Sequence, residues 1–112
     1  MKLNLLAREL DAEVLHAGER FETADVRHVI ASDLMSDVLV VDQPSPLLVT
    51  SLASDQTLRT ADIVGACAVL VVNGKNLPAN MTALAAEYKI TLLRSPLPKF
   101  EACLKLGRAL GG

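Results

Sequence analysis

A strand-like apolar run, a polar turn and a segment of helical periodicity follow one another three times between residue 46 and the C-terminal end of the chain. The three runs are PLLVT, CAVLVV and ITLL. Strands that alternate with helices in this way form a mainly parallel sheet, whose buried strands read as continuous apolar runs. A further strand-like run precedes these three, near 26–31. We therefore expect strands near 26–31, 46–50, 67–72 and 90–93, each followed by a helix. The pattern predicts an α/β domain of two or three layers, built from successive βα units.

The N-terminal residues add one more helix and one more strand to this plan. Apolar residues at helical spacing, Leu3 to Leu10, predict a small helix, and Glu13 to Leu15 predict a short strand that ends at Gly18. No linker or composition shift divides the chain, so residues 1–112 are predicted to form one domain.

The composition excludes several classes of function. Hydrophobic residues make up 51% of the chain but aromatic residues only 3%, so the core is expected to consist of Leu, Val, Ile and Ala. The net charge is −2 and Lys and Arg form no run, which argues against nucleic acid as a partner. The N-terminal apolar stretch is too short for a membrane span or a secretory signal. We therefore expect a cytoplasmic protein with no membrane partner.

The two cysteines are expected to be reduced and structural. Cys67 and Cys103 are 36 residues apart and neither has a Cys or His at ligand spacing. The helical pattern at the end of the chain predicts that Cys103 lies on the buried face of the last helix, together with Phe100 and Leu104.

Neither a metal site nor a catalytic site can be recognised in the sequence. His16 and His28 are isolated from any nucleophile or carboxylate pattern. Asp33 and Asp37 would share one face of a helix that begins at Ser32, but a carboxylate pair alone is a weak acid/base signal. We expect no cofactor and no enzyme; an enzyme that acts through Asp33 or Asp37 is the least favoured alternative.

Polar residues gather at the predicted C-terminal ends of the strands, where parallel α/β sheets usually bind ligands. Lys75 and Arg94 add positive charge nearby, so a small anion or a nucleotide is the expected ligand. No Gly-rich phosphate motif is present, and the alternative remains that these residues only cap helices and reverse the chain. The candidate ligand-binding residues are Ser32, Asp33, Thr50, Ser51, Asn73 and Gly74.

The stretch ASDLMSDVLVV predicts a helix over 33–41 that Ser32 or Asp33 caps. This helix is apolar around most of its circumference, which an outer helix of a small domain should not be. We predict that a second copy of the chain covers it, in a homodimer; the alternative is that the N-terminal helix does so. The predicted dimer interface consists of Leu34, Met35, Val38 and Leu39.

In the order ASDLMSDV, PLLVTS, AVLVVNGKNLP and ITLLRSPLPKFEACLKL, the chain resembles the DRTGG-domain family over essentially its whole length, and its short stand-alone members in particular. That family is named for an Asp-Arg after the third strand and a Thr-Gly-Gly after the fourth. Asp55-Gln56 and Val72-Asn73-Gly74 stand at those places, so Asp55 and Gly74 match the pattern. The Arg, which is the most obvious group for binding phosphate, is replaced by Gln56.

The resemblance implies a small α/β domain without catalytic activity. Related domains accompany CBS modules in nucleotide-regulated pyrophosphatases and occur in phosphate acetyltransferases. Stand-alone members are often encoded near iron-hydrogenase or redox-complex genes. We therefore expect a non-enzymatic regulatory or accessory module, homodimeric, with a small anionic ligand such as a nucleotide at the C-terminal edge of the sheet. The alternative is a pure protein-interaction or dimerisation module for a partner metabolic or redox enzyme, with no small-molecule ligand.

Overall fold

Five strands form one sheet with helices on both faces in the computed structural model, which describes residues 1–111. The elements follow in the order α1 (Leu3–Glu9), β1 (Glu13–His16), β2 (Val29–Ala31), α2 (Met35–Leu39), β3 (Leu47–Thr50), α3 (Asp55–Val64), β4 (Ala68–Val71), α4 (Ala79–Tyr88), β5 (Thr91–Arg94) and α5 (Lys99–Ala109).

The sheet has the strand order β1-β5-β4-β3-β2. Strands β2 to β5 pair in parallel, and β1 is antiparallel to β5 at one edge. All residues of the central strands β3 and β4 are buried, as their continuous apolar runs predict. The predicted α/β class, the mainly parallel sheet and the small N-terminal helix and strand are confirmed.

The helices form two layers, one on each face of the sheet. Side chains alternate along each strand, so that Leu47 packs in the same cluster as Leu6 of α1 and Leu106 of α5. Leu48 points the other way and packs with Leu58 and with the other buried residues of α2, α3 and α4. The protein is therefore a three-layer α/β domain.

Local signals mark both ends of α3 and the starts of α4 and α5. Helix α3 begins after Ser54, whose side chain accepts a hydrogen bond from the Gln56 N–H, and it ends at Gly65, which has a left-handed backbone with φ of 72°. Pro78 and Pro98 directly precede α4 and α5.

Helix α2 contradicts the capping prediction. It spans only five residues, its N-cap position is Leu34, and no side chain caps it. The Ser32 hydroxyl instead accepts from the Leu34 N–H within the preceding turn, at 3.1 Å. The Asp33 carboxylate is directed towards the end of β3, where it accepts hydrogen bonds from the Thr50 hydroxyl and the Ser51 N–H. The helix predicted over 33–41 is present in shorter form, as Met35–Leu39, but the prediction that Ser32 or Asp33 caps it is wrong.

The predicted dimer interface is divided between the two sides of α2. Met35 and Val38 are 2% and 0% exposed and belong to the core beneath α2, so the prediction is wrong for these two residues. Leu34 and Leu39 are 58% and 47% exposed. The alternative that the N-terminal helix covers α2 is also wrong, because α1 packs on the opposite face of the sheet.

The last helix buries a different face from the one predicted. Ala102 and Leu106 are its buried residues, whereas Phe100 is 76% and Leu104 40% exposed. Cys103 is half-buried beside the core. The placement of Phe100 and Leu104 on the buried face is therefore wrong, because the face with Ala102 and Leu106 packs against the sheet. Cys67 is buried, and both thiols are free as expected.

Candidate functional site

The Asp33 carboxylate is the centre of a polar cluster at the C-terminal edge of the sheet. Asp33 follows β2, and its carboxylate accepts hydrogen bonds from two residues at the end of β3. The Thr50 hydroxyl donates at 3.0 Å, the Ser51 backbone N–H at 2.7 Å and the Ser51 hydroxyl at 2.8 Å. The ends of two adjacent parallel strands are thus joined by one side chain.

Lys99 completes this cluster from the opposite helical layer. It is the first residue of α5, and its ammonium group forms an ion pair with Asp33 and donates to the Ser51 hydroxyl at 3.3 Å. We call Asp33, Thr50, Ser51 and Lys99 the Asp33 cluster. Lys99 was missed in the sequence, although it directly follows Pro98, at the start of the helix after the last strand. Only the three-dimensional approach of α5 to the end of β3 reveals its role.

Asn73 fixes the position of Lys99. The Asn73 side-chain oxygen accepts a hydrogen bond from the Lys99 backbone N–H at 3.0 Å, which satisfies one of the free donors at the start of α5. The backbone of Asn73 has a φ of 65°, and its N–H donates to the Leu97 carbonyl at 2.8 Å. The loop after β4 therefore holds the loop after β5 in place.

The surroundings of the Asp33 carboxyl favour its ionised form. The Lys99 ammonium and the Ser51 backbone N–H hold the pKa of the Asp33 carboxyl well below its usual range, and the two hydroxyl groups act in the same direction. Asp33 is therefore ionised throughout the physiological pH range. The edge thus contains one anionic group surrounded by donors, which is the chemistry of an anion-binding site rather than of a general acid or base.

The remaining predicted site residues contribute unequally. Ser32 uses its hydroxyl group within its own turn. Gly74 has a φ of 61° and donates its N–H to the Ser95 carbonyl at 3.0 Å, so it shapes the loop beside Asn73. Lys75 is exposed beyond that loop, and Arg94 ends β5 opposite Glu13. Neither cation makes any of the contacts of the Asp33 cluster.

Asp55, which stands at the place of the Asp in the DRTGG pattern, has a structural role. It lies in the first turn of α3, where its carboxylate accepts from the Asn80 side-chain amide at 2.7 Å and lies 3.9 Å from the Arg59 guanidinium. The contact with Asn80 joins α3 to α4, so Asp55 serves the packing of these helices.

Three concave regions of the surface lie away from the Asp33 cluster. Two are near the N-terminus and α5, and one of these is lined by Glu9, Lys105 and Arg108. The third lies at the opposite edge of the sheet, where Arg20 and Lys89 contribute to its lining. None of these three regions is lined by a residue of the Asp33 cluster.

Within residues 1–111, no group of three or more His, Cys, Asp or Glu side chains is arranged to hold a metal ion. No helix in the same range is long and apolar enough to cross a membrane.

Comparison with known proteins shows what kind of fold this is. No family model and no curated protein matches the sequence. A solved structure that does match is the regulatory region of Clostridium perfringens pyrophosphatase, which contains CBS and DRTGG domains and was solved in complex with its activator, diadenosine tetraphosphate. The TM-score is 0.75 at 16% sequence identity, and the match covers 94% of this chain and 45% of that one. The fold is DRTGG-related. The chain spans less than half of the length of this structural neighbour.

Proposed function

We propose that the protein is a non-enzymatic regulatory module of the DRTGG type that binds a small anionic ligand, such as a nucleotide, at the C-terminal edge of its sheet. The module acts as a homodimer in the cytoplasm and adjusts the activity of a partner enzyme.

The observation that carries this proposal is the convergence of donors on one point of the edge. Thr50, Ser51 and Lys99 direct two hydroxyl groups, one backbone N–H and one ammonium group towards a single carboxylate. Such a set of donors matches the oxygen atoms of a phosphate group. The Asp33 carboxyl is held ionised by these donors, so it is unsuited to the role of a general acid.

The structural neighbour gives independent support. It is the regulatory region of an enzyme, and it was solved with a nucleotide activator. A module of the same fold with an anion-compatible edge is consistent with regulation by a nucleotide in this protein.

A thermal-shift screen of the wild-type protein tests the proposal. The panel contains nucleotides, dinucleoside polyphosphates and metabolic phosphates, with the corresponding nucleosides as uncharged controls. A ligand that binds only the native state raises its stability by RT ln(1 + [L]/Kd), which is about 2.7 kcal/mol at a hundredfold excess over Kd. We expect at least one phosphate compound, but not its nucleoside, to raise the melting temperature. A panel without any such compound at millimolar concentration contradicts the proposal.

Exposed apolar residues in α2 and directly next to it favour a second candidate function. Leu34, Leu39 and Val40 are 58%, 47% and 81% exposed, which suits a surface that contacts another protein chain. In this candidate the module only binds a partner enzyme, and the polar edge only connects the loops. A negative ligand screen together with saturable binding to a partner enzyme would favour it.

A further inference from the structure

Every donor of the Asp33 cluster is directed at a group that the protein itself supplies. The Ser51 N–H and both hydroxyl groups approach the Asp33 carboxylate at 2.7–3.0 Å, and the Lys99 ammonium pairs with it. An external phosphate at this edge would need these same donors, so it cannot bind there while Asp33 remains in place.

We propose that Asp33 is an internal competitor of the ligand, and that a phosphate-bearing ligand binds by displacing the Asp33 carboxylate from Thr50, Ser51 and Lys99. This inference rests on the proposed function, since it assigns the ligand class and the binding step at the same edge.

The local structure permits this displacement. The Asp33 side chain is 46% exposed, and it lies in the turn between β2 and α2. The parallel pairing of β2 with β3 ends with the Ser32 N–H, which donates to the Val49 carbonyl at 3.0 Å. A movement of Asp33 therefore leaves the sheet intact. It shifts the start of α2, a helix of only five residues.

Competition by Asp33 also makes the edge selective. A carboxylate brings two acceptor oxygens and one negative charge, whereas a phosphate group brings three oxygens and a charge of about −1.5 to −2. A phosphate group therefore binds to Lys99 and Ser51 more strongly than the Asp33 carboxylate does. Chloride and simple carboxylates bind to them no more strongly than Asp33 does. The expected ligand class is therefore phosphate esters and polyphosphates.

Pyrophosphate is the probe for a direct test by NMR titration. Asp33→Asn keeps the size of the side chain and frees Lys99, so we expect this variant to bind pyrophosphate about tenfold or more tighter than wild type, with the Ser51 amide signal among those that move. The double variant Asp33→Asn/Lys99→Met should lose this gain. Asp37→Asn is the matched control, because it removes one negative charge from an exposed position of α2 without touching the cluster, and it should bind as wild type does.

Equal affinity of wild type and folded Asp33→Asn overturns the inference, and so does a gain that the Asp37→Asn control reproduces. A second readout uses the wild-type protein alone, so that it does not depend on the folding of a variant. The carboxyl carbon signal of Asp33 should shift with pyrophosphate but not with sodium chloride of the same ionic strength. A Ser51 amide that moves while the Asp33 carboxyl stays unchanged means that the anion binds beside Asp33, which also overturns the inference.

These results separate the inference from the proposed function. A wild-type protein that binds a nucleotide at Ser51, with no gain in Asp33→Asn, removes the competitor role and keeps the regulatory module. A gain for pyrophosphate in Asp33→Asn, with no nucleotide bound by wild type, keeps the competitor role and removes nucleotide sensing.

Discussion

Asp33 shows how one side chain joins parts of the chain that are far apart in sequence. Its partners Thr50 and Ser51 follow 17 and 18 residues later, and Lys99 follows 66 residues later. The carboxylate thereby connects the segment after β2 with the end of β3 and the start of α5. Because its partners stabilise the ionised form, the contribution of Asp33 to stability depends on pH.

Asp33→Asn should lower the free energy of unfolding at pH 7, and the difference from wild type should narrow as the pH falls below about 4. The pKa of Asp33 is lowered in the folded state, so its stabilising effect is present above the unfolded-state pKa and is lost as the pH falls towards the folded-state pKa. Solvent screening reduces the size of the effect, since the side chain is half-exposed. Urea unfolding between pH 7 and pH 2 measures the difference. A difference that stays constant over this range would rule out this role of Asp33.

Gly18 is a residue at which no side chain fits. A Cβ atom there would lie 2.7 Å from the Lys89 carbonyl oxygen and 2.8 Å from the Thr91 backbone nitrogen. Gly18→Ala should therefore lower the free energy of unfolding by about 1–3 kcal/mol, as overpacking does. Gly107 is the matched control: it lies within α5 with no atom near its Cβ position, and Gly107→Ala should raise stability by about 0.5–1 kcal/mol. Thermal or urea unfolding measures the stability of both variants. A Gly18→Ala protein as stable as wild type would contradict the close approach of the chain at Gly18 to β5.

Helix α2 shows where local sequence signals fail. Ser-Asp before an apolar run is a start signal for a helix, yet the Asp33 carboxylate accepts from donors at the end of β3 and not from the N–H groups of α2. The apolar run itself is divided, with Met35 and Val38 in the core and Leu34 and Leu39 at the surface. Helix α3 was predictable because Ser54 and Gly65, which begin and end it, act within its own segment.

The outer side of α2 leads to a prediction about oligomeric state. In the proposed homodimer, Leu34 and Leu39 form part of the interface, so the wild type should sediment as a dimer at tens of micromolar. The double variant Leu34→Ser/Leu39→Ser should be a folded monomer, because it removes exposed apolar area and leaves the core residues in place. Leu5→Ser, at a position 44% exposed on α1, should remain dimeric. Sedimentation equilibrium distinguishes these states, and a monomeric wild type would exclude the homodimer.

The sequence predicts the architecture of this protein better than it predicts the candidate site. Buried parallel strands need continuous apolar runs, so the order and class of the elements could be read directly from residues such as 67–72. The strand-end rule also led to Asp33, Thr50 and Ser51, which do meet in space. Lys99 could not be predicted in the same way, because its contact with Asp33 depends on how α5 crosses the edge of the sheet.

Amide chemical-shift mapping of the wild-type protein shows directly whether a ligand binds at the strand ends. A uniformly labelled sample is titrated with the phosphate compound that stabilises it most, and with the matching nucleoside as the control. If the ligand binds at the strand ends, the amide signals of Ser51, Asn73 and Lys99 move together and saturate with one dissociation constant. Changes confined to the opposite edge of the sheet, around Arg20 and Lys89, would contradict a ligand site at the Asp33 cluster.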